Sequence, residues 1–201
     1  MRAALLSAAA AAVLLVVTGC GAASRAAEPP ATTDGRLIGL TPATLPRKPA
    51  IVLTDTSGKH YSLTAETRGK LTYLYFGYTN CPDACPLTMG TIAAAVHRQP
   101  AALRKQVAVV FVTVDPKRDT PDVLRQWLDN YDMSFVGLTG TEAQVRAAEE
   151  AAGVPPAPRG TLNHSTLVLA YSPDNLSHVV YSSGFTARDY AHDIPLLLRY
   201  R

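Results

Sequence analysis

At 201 residues the chain has room for one domain of ordinary size, and 47% hydrophobic against 17% charged residues exclude a wholly disordered polymer. The net charge of +3 is spread without a dense Lys/Arg run, which gives no case for nucleic-acid binding. The three cysteines, at positions 20, 81 and 85, carry most of the chemistry on offer.

After Met1, Arg2 leads into an apolar run from Ala3 to Val17, interrupted by Ser7. That length fits the core of a signal peptide and is short for a membrane-spanning helix. The run ends Val17-Thr18-Gly19-Cys20, which resembles a bacterial lipobox. Residues 1–19 are expected to be a removed signal peptide, and Cys20 to carry lipid. A multiply acylated cysteine is a firm anchor. The mature chain is then expected on the extracytoplasmic face of the bacterial cytoplasmic membrane, where disulfides can form. Residues 20–35 read as the lipidated end and a polar, proline-containing tether, followed by a folded domain over 36–201.

Leu37 to Leu40 reads as a short strand or an extended arm. Ile51 to Thr54 is a strand, Asp55 to Lys59 a turn, and His60 to Leu63 the returning strand. Leu71 to Phe76, apolar and aromatic, is a buried strand, and Leu87 to Val96 a helix. Val107 to Val114 is rich in β-branched residues without polar alternation, as expected of a central strand covered on both faces. Asp115 to Asp119 is a loop.

Thr120-Pro121-Asp122 marks a helix start: a capping hydroxyl, proline at the first position, an acid in the first turn. Val123, Leu124, Trp127, Leu128 and Tyr131 follow at helical spacing. Phe135 to Leu138 is a short strand, Thr141 to Ala152 a helix, and Val154 to Gly160 a proline-rich loop. Ser165 to Tyr171 and His178 to Tyr181 form a hairpin about the turn Ser172 to Asn175. Thr186 to Tyr200 closes the chain as a helix that Pro195 is expected to distort.

This order implies an α/β fold: a central mixed sheet, helices on both faces, and a C-terminal β-hairpin and helix. A cysteine pair where the first major strand hands over to a helix is the thioredoxin-like arrangement. Cys81 and Cys85 are four positions apart, so a turn points both sulfurs the same way. Pro86 disfavours a helical Cys85 and suits the first turn of the helix after it. Cys85 is therefore expected at the helix N-terminus, with a lowered thiol pKa.

Two thiolates serve a disulfide as well as a metal. Of the five histidines, His164 has the best setting for a third ligand, just before a core strand. Two soft sulfurs and an imidazole suit copper, particularly Cu(I), with zinc as the chemical rival. A purely structural disulfide is disfavoured, because closing so short a loop removes little chain entropy.

Three motifs occur in order: Phe76-Gly77-Tyr78-Thr79-Asn80-Cys81-Pro82-Asp83-Ala84-Cys85-Pro86, then Thr113-Val114-Asp115-Pro116-Lys117-Arg118-Asp119-Thr120-Pro121, then His164-Ser165. Together they resemble the Sco/SenC family, membrane-tethered thioredoxin-like copper proteins that help assemble the copper centre of cytochrome c oxidase. The resemblance implies copper, Cu(I) and/or Cu(II), on Cys81, Cys85 and His164, with Asp115 beside the site. It implies as client the copper-bearing oxidase subunit or another copper or thiol protein. The alternative is a thiol–disulfide oxidoreductase that cycles Cys81 and Cys85 without a stable metal. One departure is Asn80, where many members have His.

Of the remaining residues, Met89 and Met133 read as packing. His60, His97, His178 and His192 read as solvated, Asp119 as a helix lead-in, and Asp83 as a loop residue or a contact for a partner's charge.

Overall fold

The computed structural model describes residues 35–156, 161 and 165–201. The expected signal peptide, Cys20, nearly all of the tether, and His164 lie outside the described residues.

One mixed sheet is built from β1 (Val52–Asp55), β2 (His60–Ser62), β3 (Leu71–Gly77), β4 (Val107–Thr113), β5 (Val136–Thr139), β6 (Val168–Tyr171) and β7 (Ser177–Tyr181). Its strand order is β2-β1-β5-β4-β3-β6-β7. The β3–β4 and β4–β5 pairs are parallel and the others antiparallel. The described helices are α1 (Leu63–Glu66), α2 (Ala84–His97), α3 (Ala101–Arg104), α4 (Pro121–Asp129), α5 (Glu142–Ala151) and α6 (Ala187–Leu197).

Every residue of β3 is buried, because its two faces feed two separate cores. Tyr73 and Tyr75 point to one core, with Phe111, Ile92 of α2, Leu124 and Leu128 of α4, and Ile194 and Leu197 of α6. Leu74 and Phe76 point to the other, with Val110, Val112, Leu63 of α1, and Val145 and Ala148 of α5. Successive strand residues face opposite sides, so helices on both faces remove any polar alternation from the central strands. Each large side chain so buried stabilises the fold by about 1.5–3 kcal/mol relative to exposure.

The helix starts follow their local chemistry. The Thr120 side chain accepts from the Val123 N–H at 3.4 Å, with Pro121 leading α4. Thr141 and Gln144 form a reciprocal capping box on α5. Pro195 lies inside α6 and leaves the Ala191 carbonyl without its helical N–H. The Gln99 amide fills that vacancy, donating to the Ala191 carbonyl at 2.9 Å. The expected defect is thus repaired by a side chain just beyond the end of α2.

Residues 36–48 form an extended arm along the free edge of β7. Leu40 pairs antiparallel with Val180, and Arg47 with Leu176. The N–H groups of Ile38 and Gly39 donate to the fully buried Asp193 carboxylate of α6 at 2.8–3.1 Å. Asp193 also accepts from the Tyr181 hydroxyl at 2.9 Å and faces His192 Nδ1 at 2.8 Å.

Several expectations need correction. The single-turn helices α1 and α3 carry too little periodicity to announce themselves. β6 begins at Val168, so Ser165 to Leu167 lie ahead of the strand rather than in it. Met133 is 82% exposed rather than packed, because it lies in the turn beyond α4. His178 and His192 are not solvated. Their side chains are 13% and 10% exposed, each against a carboxylate, and His178 stacks on Tyr200 at 3.7 Å.

Candidate metal centre

β3 and β4 end side by side, with Gly77 opposite Thr113. The carboxyl ends of parallel strands are where α/β sheets place their sites. The Val114 N–H donates to the Gly77 carbonyl at 2.7 Å, and the chain then turns through residues 78–83 into α2. The turn closes on itself where the Cys81 N–H donates to the Tyr78 carbonyl at 3.2 Å.

Cys81 and Cys85 are not joined in a disulfide, and Cys81 is half-buried while Cys85 is wholly buried. The Cys85 N–H donates to Cys81 Sγ at 3.3 Å. This reverses the expected roles. α2 starts at Ala84, so Cys85 lies inside its first turn rather than ahead of it. Pro86 is accommodated there because the first N–H groups of a helix have no partner within it.

Burial alone raises the Cys81 thiol pKa. The backbone N–H and thiol of Cys85, with the N–H groups of Asp83 and Ala84, outweigh burial and hold it below the usual thiol range. Burial instead pushes Cys85 up to about 12, despite hydrogen bonds from the Tyr75 hydroxyl and the Tyr78 backbone. Tyr75 donates to Cys85 Sγ at 3.6 Å. The open positive end of the helix thus serves Cys81, and the buried sulfur sits beneath it.

Gly77 makes room for that buried sulfur. A Cβ there would lie 2.8 Å from Cys85 Sγ and 2.9 Å from the Phe111 ring. Met89, one turn further along α2, is fully buried core, as expected.

Asp115 lies two residues beyond β4; burial raises the Tyr78 phenol pKa, followed by the charges of Cys81 and Cys85, with Asp115 adding the smallest push. The residue that sequence reasoning undervalued is Asp119. It is fully buried, and its carboxylate accepts from the Thr79 N–H at 2.9 Å, the Thr79 hydroxyl at 2.5 Å and the Thr113 hydroxyl at 2.6 Å. Asp83 is exposed at the N-cap of α2, without a side-chain cap bond. Among the described residues no three His, Cys, Asp or Glu side chains cluster to hold a metal.

The profile of the SCO1/SenC family matches residues 46–199. The chain belongs to the SCO1/SenC family. It is 34% identical over 139 residues to a Stutzerimonas stutzeri protein named as copper-binding, covering 65% of this chain and 68% of that protein. An SCO2-like protein of Rickettsia prowazekii is 39% identical over 97 residues, 47% of this chain. The match spans only 45% of that relative's length.

Among solved structures, Bradyrhizobium japonicum ScoI with copper bound superposes with a TM-score of 0.65 at 28% identity, covering 78% of this chain and 99% of that one. BsSco, described as a member of the Sco family of cytochrome c oxidase assembly proteins with a disulfide switch, shares the fold. Its TM-score is 0.63 at 20% identity, over 81% of this chain and 99% of its own. The thioredoxin-like α/β fold is therefore that of the family.

Proposed function

We propose that this chain is a lipid-anchored copper-binding protein on the extracytoplasmic face of the cytoplasmic membrane. It supplies copper to cytochrome c oxidase, or keeps the oxidase's copper-site cysteines reduced. The observation that carries the reading is the convergence of two uncrosslinked sulfurs on the first turn of α2, one reachable from solvent. Soft sulfur donors favour Cu(I), and binding the cation offsets the cost of deprotonating the buried Cys85 thiol. Family membership and the copper named in its relatives support the same cargo.

His164 is the proposed third ligand. Its support is topological: the chain enters β6 at Val168, which pairs with Tyr75 near the cysteine end of β3. Asp115 is proposed to stand beside the bound ion. Cys81, as the less buried sulfur, is the one a client ligand displaces first. The anchor is proposed at Cys20, after removal of residues 1–19.

Reduced protein should take up about one copper per chain, as a single Cys₂His set holds. The variants Cys81→Ser, Cys85→Ser and His164→Ala should each lose most of it. Wild-type copper affinity in His164→Ala would sink the three-ligand site. Cys20→Ala should move the protein out of the membrane fraction, and unchanged membrane retention would remove the anchor.

The unequal thiols also support a second reading, as a thiol–disulfide oxidoreductase. Cys81 thiolate attacks a client disulfide and releases one client thiolate, leaving a mixed disulfide. Cys85 then loses its proton to solvent, attacks Cys81, and releases the second client thiol. Two electrons pass to the client, and the Cys81–Cys85 disulfide forms. A mixed disulfide trapped in copper-free Cys85→Ser would favour this reading, and its absence would leave copper delivery alone.

A further inference from the structure

Asp119 is a buried carboxylate whose partners lie on two other segments. Oδ2 accepts from both the Thr79 N–H and the Thr113 hydroxyl, and Oδ1 accepts from the Thr79 hydroxyl. Asp119 is itself fixed at the mouth of α4, where its N–H donates to the Asp115 carbonyl at 2.9 Å. Thr113 belongs to β4, and Thr79 lies two residues before Cys81. One side chain therefore joins the end of β4, the start of α4 and the cysteine loop.

We propose that Asp119 is a positioning residue for the cysteine pair, clamping the loop between β3 and α2 so that Cys85 stays covered and Cys81 stays at the surface. The role deepens the copper-and-thiol reading of that pair and rests on it. Held by both its backbone and its side chain, Thr79 cannot rotate away. The tight turn from Tyr78 to Cys81 is then fixed in place, with Cys81 Sγ on the N–H of Cys85. The clamp uses an acceptor-only group at a point where three donors converge. Asparagine turns an N–H towards one of those donors, and glutamate adds a methylene where nothing is exposed.

The test is timed alkylation of the reduced, metal-free protein with iodoacetamide, read on Cys85 in a Cys81→Ser background. Asp119→Ala and Asp119→Asn should speed Cys85 alkylation by about tenfold or more, the factor that one lost buried hydrogen bond of ordinary strength allows. Thr79→Val, which keeps the main-chain bond, should give a smaller rise. Ile194→Ala, a core truncation in α6, is the control for general destabilisation and should leave Cys85 protected well below its Tm. With both cysteines present, copper release from Asp119→Asn to a chelator should quicken by a similar factor. Wild-type Cys85 protection in folded Asp119→Asn would overturn the proposal, as would equal exposure in Ile194→Ala. If the wild-type protein bound no copper, the proposed function would fail, while the alkylation comparison would still decide the clamp.

Discussion

The main-chain N–H of Cys85 points at the sulfur of Cys81, 3.3 Å away, so the later cysteine helps stabilise the thiolate of the earlier one. The pair is therefore unequal before any metal or client arrives. Cys81 is held below the usual thiol range, and Cys85 is pushed up to about 12. At pH 8 the reduced, metal-free protein should be alkylated at Cys81 at least about 100-fold faster than at Cys85, since only the thiolate reacts. Mass spectrometry of timed samples reads both rates. Equal rates would mean that the buried sulfur is not buried in solution.

Gly77→Ala should damage the site from below. The added methyl meets Cys85 Sγ and the Phe111 ring at under 3 Å. Overpacking of this kind costs about 1–3 kcal/mol. A denaturant midpoint should fall accordingly, with copper uptake impaired in protein that still folds. A variant with wild-type midpoint and wild-type copper binding would show that Cys85 does not sit against this strand.

Gln99 and Pro195 should behave as a coupled pair. Gln99→Ala strands the Ala191 carbonyl and should cost about 1 kcal/mol. In a Pro195→Ala background the new N–H at 195 reaches that carbonyl, so Gln99→Ala should cost much less. A double-mutant cycle by chemical denaturation measures the difference, and strict additivity would refute the repair.

Glu149 of α5 is buried, with Oε1 unpartnered among the described residues. Burial raises its pKa from 4.5 to about 7, aided by Glu150 and opposed by Arg146. A carboxyl whose folded pKa is raised contributes stability fully present below the unfolded value and lost as pH climbs through the folded one. Unfolding free energy should thus decline between about pH 4.5 and pH 7, by up to about 3 kcal/mol. Glu149→Gln should flatten that part of the profile. An unchanged slope would assign the pH dependence to other groups.

The sheet was legible in the sequence because its central strands are long, apolar and bounded by turn residues. Leu71 to Phe76 and Val107 to Val114 allow little else. The helix beginning at Thr120-Pro121 was legible for a local reason, a cap and a proline in register. The cysteine pair was legible as a pair, but not in its polarity. Proline at 86 suggested that the helix waits until after Cys85, whereas the first turn absorbs it and hands the free N–H groups to Cys81. Asp119 was hidden for another reason. Directly before a helix cap it looks local, and its partners, Thr79 and Thr113, are ordinary residues until the strands bring them together.

The arm along β7 also bears on how the chain behaves at high concentration. An uncovered edge strand offers a row of free N–H and C=O groups to any other strand, including that of a second copy. Residues 36–48 occupy that row through Leu40 and Arg47, and Asp193 holds their beginning in place. A truncated chain that starts after Leu40 would lose the pairing with Val180 and leave the buried Asp193 short of two donors. Such a truncation should promote edge-to-edge aggregation, whereas one starting at Gly35 should remain monodisperse.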